Sequence, residues 1–256
     1  MPRQLVLAHF SIRDASFVDR CAAAHVAGFD GIGLYVGEYS RLRAAGRTDD
    51  ELLGIVSEHG TRVIEVEALP IFADAHVDTF VHLAATFRAE RIQVVPPFRG
   101  AVDRDAAAGW LATVADRVGV FGTTLAIEFL PFTDVADAAA AAELAVRADR
   151  PNIGLCVDAW HVFRGAGLLS LVGLDPALVA SVQLDDGPFD PVLPDYVDDC
   201  LHFREVPGEG EFDLRGFMEL LPSSAPVSVE VPSDVLDQLA PIEVARILAH
   251  ESKRYL

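Results

Sequence analysis

Features that define several large classes of protein are absent from this chain of 256 residues. No apolar run approaches the roughly 20 residues that cross a bilayer, and the first residues lack the apolar core and cleavage site of a secretory signal. The three cysteines, Cys21, Cys156 and Cys200, are widely spaced, so we predict neither a disulfide framework nor a zinc knuckle. We expect a cytoplasmic protein with no membrane partner.

Positive charge is also scarce. The chain has 20 Lys and Arg against 39 Asp and Glu, which gives a formal net charge of −19. Binding to nucleic acid depends on concentrated positive charge, so we expect no nucleic-acid partner. Neither a GxGxxG turn nor a GxxxxGK(S/T) phosphate loop occurs, which argues against an open, doubly wound nucleotide-binding sheet.

The chain does contain a regular alternation of short β-rich runs and longer Ala-rich helical segments. This alternation is typical of βα units around a parallel sheet, and without a nucleotide-binding turn a closed barrel is favoured. We predict one domain over residues 1–256, a (β/α)₈ TIM barrel. The predicted strands are Leu5–Phe10, Gly31–Val36, Arg62–Leu69, Arg91–Phe98, Thr124–Phe132, Ile153–His161, Val179–Gly187 and Val227–Ser233.

The helical segments between these strands often begin at Asp, whose carboxylate accepts the free N–H groups of a first turn. One connection, Asp185–Gly210, is rich in Pro, Asp and Gly. We expect it to be an irregular functional loop, because structureless loops of that length are uncommon inside a domain. The predicted helices are Asp14–Ala27, Asp50–His59, Asp74–Arg88, Asp103–Phe121, Asp134–Arg147 and Gln238–His250.

The last four predicted strands share a pattern of polar residues. Small or polar residues alternate with bulky aliphatic ones, and the polar set of each strand ends in an oxygen ligand. Alternate residues of a barrel strand point into the lumen, and the C-terminal ends line the active site. Three carboxylates and an amide on one rim need a cation, and all-oxygen ligands favour one Mg²⁺ or Mn²⁺ ion, with Co²⁺ tolerated. The four residues are Glu128, Asp158, Gln183 and Glu230.

Three other polar residues lie near the ends of earlier strands. Glu67 shares the parity of Glu65 and Val63 in the third strand. It either faces the lumen as a substrate contact or is a solvated acid at a strand end. His9, at the end of the first strand, and Arg99, after the fourth, are further candidates for substrate contacts, because the C-terminal rim of a barrel carries the chemistry.

Taken together, these motifs resemble the xylose-isomerase-like TIM-barrel family of sugar isomerases, epimerases and related dehydratases. The resemblance extends over nearly the whole chain and depends on the order and spacing of the motifs. The motifs are IEF at Glu128, DAWH at Asp158 and His161, VQLDD at Gln183, REVPGEGEFD at 204–213 and VEVP at Glu230.

The resemblance implies the same four metal ligands and adds two residues. Arg204 would be a substrate-binding arginine that does not touch the metal, and His161 an acid or base beside the metal. The alternatives are that Arg204 pairs with acids on a surface loop and that His161 is a satisfied buried histidine. Gln183 stands where the isomerases and epimerases usually have His, and in this respect the sequence resembles 3-dehydroshikimate dehydratases.

The reaction that we predict is proton abstraction next to a carbonyl polarised by the cation, with Glu128 and Glu230 as base and acid. The first candidate is an isomerase or epimerase of a sugar-like polyhydroxylated ketone. The second is a dehydratase of a cyclic hydroxyketone such as 3-dehydroshikimate, and the third is an inactive barrel used as a binding module. The expected partner is a small polyhydroxylated molecule. The sequence leaves open whether the chain forms a homo-oligomer. Zinc endonucleases of the same superfamily need several histidine ligands. Here only His9 and His161 lie near strand ends, so we do not expect an endonuclease.

Overall fold

The computed structural model describes residues 3–256, which form a closed barrel of eight parallel strands. The strands are hydrogen-bonded in sequence order, and the last closes on the first through pairs such as Val6 with Ser228. The predicted (β/α)₈ barrel is therefore confirmed. The strands are β1 (Leu5–Leu7), β2 (Gly31–Tyr35), β3 (Val63–Pro70), β4 (Arg91–Val95), β5 (Thr124–Glu128), β6 (Ile153–Asp158), β7 (Val179–Leu184) and β8 (Val227–Val229).

Helices follow the strands along the chain. Within residues 3–256, none of them is long and apolar enough to cross a membrane. The α-helices are α1 (Phe17–Ala27), α2 (Val36–Ala44), α3 (Asp49–Glu58), α4 (Asp74–Phe87), α5 (Arg104–Gly119), α6 (Ala138–Ala148), α7 (Ala159–Phe163), α8 (Tyr196–His202), α9 (Leu214–Glu219) and α10 (Pro241–Ser252).

Most predicted strands run past the observed ones at the C-terminal end. The predicted strand Ile153–His161 ends at Asp158, because the Asp158 carboxylate accepts the backbone N–H of His161 and begins α7. The predicted strand Thr124–Phe132 ends at Glu128, although Phe129 is buried. Apolar residues continue past the strands because the loops over the barrel mouth also pack into the core, so apolar composition overstates strand length.

The predicted helices occur with shifted ends, and other helices were not predicted. Helix α1 begins after Ser16, whose hydroxyl accepts an N–H of the first turn, and not at Asp14. The expectation of an irregular segment over 185–210 is wrong in part, because α8 forms there with Asp195 accepting the N–H groups at its start. Helix α8 has seven residues, too few to show the periodicity by which a helix is recognised in sequence.

The alternation along the strands has the predicted orientation. Leu125 and Ile127 of β5 and Leu155 and Val157 of β6 are fully buried in the hydrophobic core. The intervening residues are small or polar, and the Sγ of one of them, Cys156, lies 3.2 Å from the side-chain Oε1 of Gln183. The barrel thus packs aliphatic side chains outward and keeps its lumen for polar ones.

Candidate functional site

A pocket of about 380 Å³ opens at the C-terminal ends of the strands. Glu67 of β3, Gln93 of β4, Glu128 of β5 and Glu230 after β8 all line it. Glu128 and Glu230 are each only 6% exposed. The barrel therefore directs buried carboxyl groups from separate strands toward one cavity.

The other two predicted ligands complete this rim. Asp158 is fully buried and pairs in register with Gln183, which pairs in turn with Ser228, two residues before Glu230. One atom each of Glu128, Asp158 and His161 lies within 4.8 Å of the others, a spacing that suits a shared metal ion. The structure therefore adds His161 to the residues that could hold the ion.

His161 owes its position to the turn that follows β6. Asp158 begins α7, so His161 lies one helical turn later beside the Asp158 carboxylate. Its Nε2 is 2.8 Å from Glu128 Oε1 and 3.6 Å from Asp158 Oδ2, and its Nδ1 is 2.7 Å from the Tyr196 hydroxyl. The DAWH motif thus places a histidine between Asp158 and Glu128.

Arg204 lies closer to the predicted ligands than its place before the PGEG loop indicated. It is 3% exposed, and its Nη1 donates to Asp158 Oδ2 at 2.9 Å and to Asp185 Oδ2 at 2.6 Å. The same nitrogen is 3.5 Å from Glu230 Oε2. These contacts exclude the alternative of a surface arginine and make Arg204 a buried link among three acids.

Burial and crowding shift the pKa values of these acids. Burial raises the pKa of Glu230 well above its usual range, and burial together with the Asp158 charge does the same for Asp185. Burial alone would raise the pKa of Asp158, but Arg204 and His161 beside it outweigh burial and lower it. The pocket holds more acid than its basic groups neutralise, which is the electrostatic condition that a divalent cation relieves.

Gln183 provides a further test of whether the residues fit a metal. Both ends of its amide are buried, yet its Nε2 has no hydrogen-bond partner within residues 3–256, while Oε1 faces Cys156. A half-turn of the amide would direct Oε1 to the position without a partner. With Glu128, Asp158 and Glu230, this oxygen completes a donor set suited to a hard divalent ion, and His161 supplies a nitrogen that zinc also accepts.

Of the residues predicted to contact substrate at earlier strands, only Glu67 lines the pocket. Burial raises its pKa to about 8, with the charge of Glu65 adding to the effect. His9 is buried beside it, where its backbone N–H donates to Glu67 Oε1 and its ring lies at a tilted angle to that of Tyr35, with the centroids 5.3 Å apart. Arg99 is exposed on the loop after β4, outside the pocket lining.

Two residues that hold the site were not predicted from the sequence. Gln93 Nε2 donates to Glu128 Oε2 at 2.9 Å, and Tyr196 contacts His161 from α8. The signal for Gln93 was available, because it is a polar residue with lumen parity in the otherwise apolar run Ile92–Val95. Nothing in the sequence distinguished Tyr196, because it lies in the segment expected to be irregular.

The closed barrel and its acid-rich mouth define a (β/α)₈-barrel protein with a candidate metal site. The chain belongs to the Xylose isomerase-like TIM barrel family, whose model matches residues 21–250. A 3-dehydroshikimate dehydratase of Pseudomonas aeruginosa is 35% identical over an alignment of 136 residues that covers 48% of this chain. The match spans 20% of that protein.

Solved structures of other proteins share the fold. The IolI protein with a bound zinc atom superposes with a TM-score of 0.86 at 19% identity and 99% coverage of both chains. The probable 3-DHS dehydratase AsbF from Bacillus anthracis has a TM-score of 0.78 at 15% identity, again over 99% of both chains. L-ribulose 3-epimerase has a TM-score of 0.74 at 17% identity and covers 100% of this chain and 95% of its own. At these identities the similarity establishes a common fold alone.

Proposed function

We propose that the protein is a divalent-metal-dependent isomerase or epimerase of a neutral, polyhydroxylated ketone. The observation that carries the proposal is the pair Glu128 and Glu230, two buried carboxyl groups that line one pocket from strands three apart. A proton moved between neighbouring carbons needs a base and an acid within reach of one substrate. This pair offers both, beside a donor set that fits a cation.

Glu128 and Glu230 have separate roles in the proposed reaction. Glu128 is held on one oxygen by Gln93 and on the other by His161, so its orientation is fixed. Glu230 directly follows β8, three strands from Glu128 around the barrel. It removes or returns the proton of the carbon beside the carbonyl. When bound by Glu128, Asp158, Gln183 and Glu230, a divalent cation supplies Lewis acidity toward the substrate oxygens.

The charges of the pocket favour a substrate without a carboxylate. Among the lining residues of the described chain, the basic side chains are Arg204 and His161. Arg204 already pairs with Asp158 and Asp185, and His161 contacts Glu128. Apart from a bound cation, a substrate carboxylate would therefore meet acids without a free basic partner among these lining residues, a costly arrangement.

A dehydratase is the second candidate, and two observations favour it. Gln183 occupies the strand-seven position as in the dehydratases that the sequence resembles, and the Pseudomonas aeruginosa relative carries that activity. Elimination also needs a proton donor for the departing hydroxide. His161, hydrogen-bonded to the Tyr196 hydroxyl, is suited to that role.

A panel of ketoses, inososes and dehydroshikimate, incubated in heavy water with the Mn²⁺-loaded protein, tests the proposal. An isomerase or epimerase gives a product of unchanged composition that carries solvent deuterium, whereas a dehydratase gives a product that has lost water. The absence of both exchange and product with Mn²⁺, Mg²⁺, Co²⁺ and Zn²⁺ would contradict both candidates.

The variant His161→Ala separates the two reactions. In a dehydratase it should abolish product formation and leave substrate exchange partly intact, because a glutamate still removes the proton. In an isomerase, exchange and turnover should fall in parallel or change little. Exchange that persists in the metal-loaded double variant Glu128→Gln, Glu230→Gln would place the base elsewhere, with Glu67 the next residue to test.

A further inference from the structure

Three aromatic side chains from separate segments meet at the mouth of the pocket. Phe98 follows β4, Phe132 follows β5 and Tyr196 begins α8, and all three line the cavity. The ring centroids of Phe98 and Phe132 are 5.4 Å apart, and those of Phe132 and Tyr196 are 5.0 Å apart. We call these three residues the aromatic arc.

Much of the aromatic arc is exposed to solvent. Phe98 is 54% exposed and Phe132 is 37% exposed. Large apolar side chains that remain in water at the entrance of a polar site gain stability when a ligand covers them. The rings contact one another at tilted and edge-to-face angles, which aromatic pairs prefer over a face-to-face sandwich, so a further aromatic ring can pack on their exposed sides in the same geometries.

The polar groups of the pocket are largely engaged with one another. Gln93 Nε2 donates to Glu128, and the Tyr196 hydroxyl contacts His161. Arg204 Nη1 donates to Asp158 and Asp185. A ligand with hydroxyl groups at both ends would bury some of them against apolar rings without partners, which costs binding energy.

The size of the cavity leaves room for more than one chemical group. Its volume of about 380 Å³ falls in the range of about 300–1,000 Å³ that is typical of sites for drug-sized ligands. Glu128 and His161 line the same cavity as the arc. A ligand that fills it therefore has a polar end at the acids and an apolar end at the rings.

We propose that the substrate is a hydroxyketone that carries an aromatic substituent, and that this substituent packs on Phe98 and Phe132. The position of the hydroxyketone end rests on the proposed function. The aromatic end rests on the arc itself, so the two can be tested separately.

Calorimetry with unreactive probes tests the aromatic end. The Mn²⁺-loaded protein is titrated with phenyl β-D-glucopyranoside and with methyl β-D-glucopyranoside, which differ in the substituent. We expect the phenyl compound to bind at least about tenfold more tightly, as one well-packed ring contributes. Phe98→Ala and Phe132→Ala should each remove most of this advantage and leave the affinity for the methyl compound within about twofold.

The matched control is Phe121→Ala. Phe121 is 42% exposed and lies between α5 and β5, at the opposite end of the barrel, so its removal should keep the full phenyl advantage. Equal affinities for the two glycosides, no binding of either, or an advantage that survives both arc variants would overturn the proposal.

These titrations distinguish a failure of the aromatic site from a failure of the proposed reaction. Phenyl selectivity that depends on the arc, without exchange on any ketone, leaves the aromatic site standing and refutes the reaction. Exchange on unsubstituted ketones without phenyl selectivity supports the proposed reaction and refutes the aromatic site.

Discussion

Asp158 connects three parts of the chain through a single carboxyl group. Its Oδ1 accepts the backbone N–H of His161, and its Oδ2 accepts from Arg204, 46 residues away. Its backbone pairs in register with Gln183. One fully buried carboxylate therefore ends a strand, begins a helix and fixes the arginine of the site.

Glu67 is held in a different way, by a backbone hydrogen bond and by the space that a glycine leaves beside it. Its Oε1 accepts the N–H of His9, and a Cβ at Gly33 would collide with the same oxygen. Its Oε2 is buried and has no hydrogen-bond partner in the part of the chain that the structure describes. Gly33 thus makes room for this carboxyl group, and burial raises its pKa to about 8 from 4.5, with the charge of Glu65 outweighing that of Arg20.

The raised pKa of Glu67 predicts how stability depends on pH. Between pH 4.5 and about 8, the folded protein retains a proton that the unfolded chain releases. The free energy of unfolding from this group should therefore fall as pH rises, by up to about 1.4 kcal/mol for each pH unit. Glu67→Gln removes the effect. In urea unfolding of the metal-free proteins, the free energy of unfolding of the variant should therefore rise relative to that of the wild type from pH 5 to pH 8.

The control for this prediction is Glu219→Gln, an exposed residue on α9. Its stability should follow the wild type at every pH. Parallel curves for Glu67→Gln and the wild type would mean that Glu67 ionises as it does in the unfolded chain.

At the scale of elements, the connection between β7 and α9 is organised by Asp186. The Asp186 carboxylate accepts the backbone N–H groups of Gly187, Gly208 and Phe212 at 2.8, 2.8 and 3.0 Å. The backbones of Asp186 and Glu205 exchange two hydrogen bonds. Since Arg204 precedes Glu205, this loop determines where the guanidinium enters the site.

Asp186→Ala should destabilise this loop and the site with it. Buried N–H groups that lose their acceptor cost about 1–3 kcal/mol of stability, and hydrogen exchange should accelerate over 205–213. The control is Asp175→Ala, because Asp175 is exposed and accepts one N–H, from Ala177. Equal stability losses, with unchanged exchange over 205–213, would show that the loop does not depend on Asp186.

At the scale of the whole molecule, barrel closure brings distant segments to one mouth. The pocket combines residues from Phe10 to Pro232. The chain carries a net charge of −19, and part of its acidity is concentrated in this pocket. Because a cation held there binds the folded barrel and not the open chain, metal binding and global stability should be linked.

Mn²⁺ should therefore raise the melting temperature. A concentration of about 100 times the Kd adds about 2.7 kcal/mol of stability, which corresponds to roughly 5–10 °C for a chain of this size. A chelator should reverse the shift, and acid should weaken it because the ligands must be deprotonated. Asp158→Asn should abolish the shift and Glu219→Gln should retain it, whereas a full shift in both Asp158→Asn and Glu230→Gln would exclude the site.

The sequence by itself determined the eight-stranded barrel and which residues of its last four strands face the lumen. Both follow from local periodicity, because the parity of Glu128 within TLAIEF depends only on its own strand. Helix α8 and the strand ends escaped prediction, because short elements and loops buried over the barrel mouth carry no distinctive period.

Only the tertiary structure decided which side chains meet. His161 contacts Glu128 across 33 residues, and Tyr196 contacts His161 across 35. Arg204 lies on Asp158 because a loop fastened by Asp186 directs it inward. Such contacts depend on loop paths and side-chain rotamers that become defined only when barrel closure excludes the alternatives, so no local pattern in the sequence could specify them.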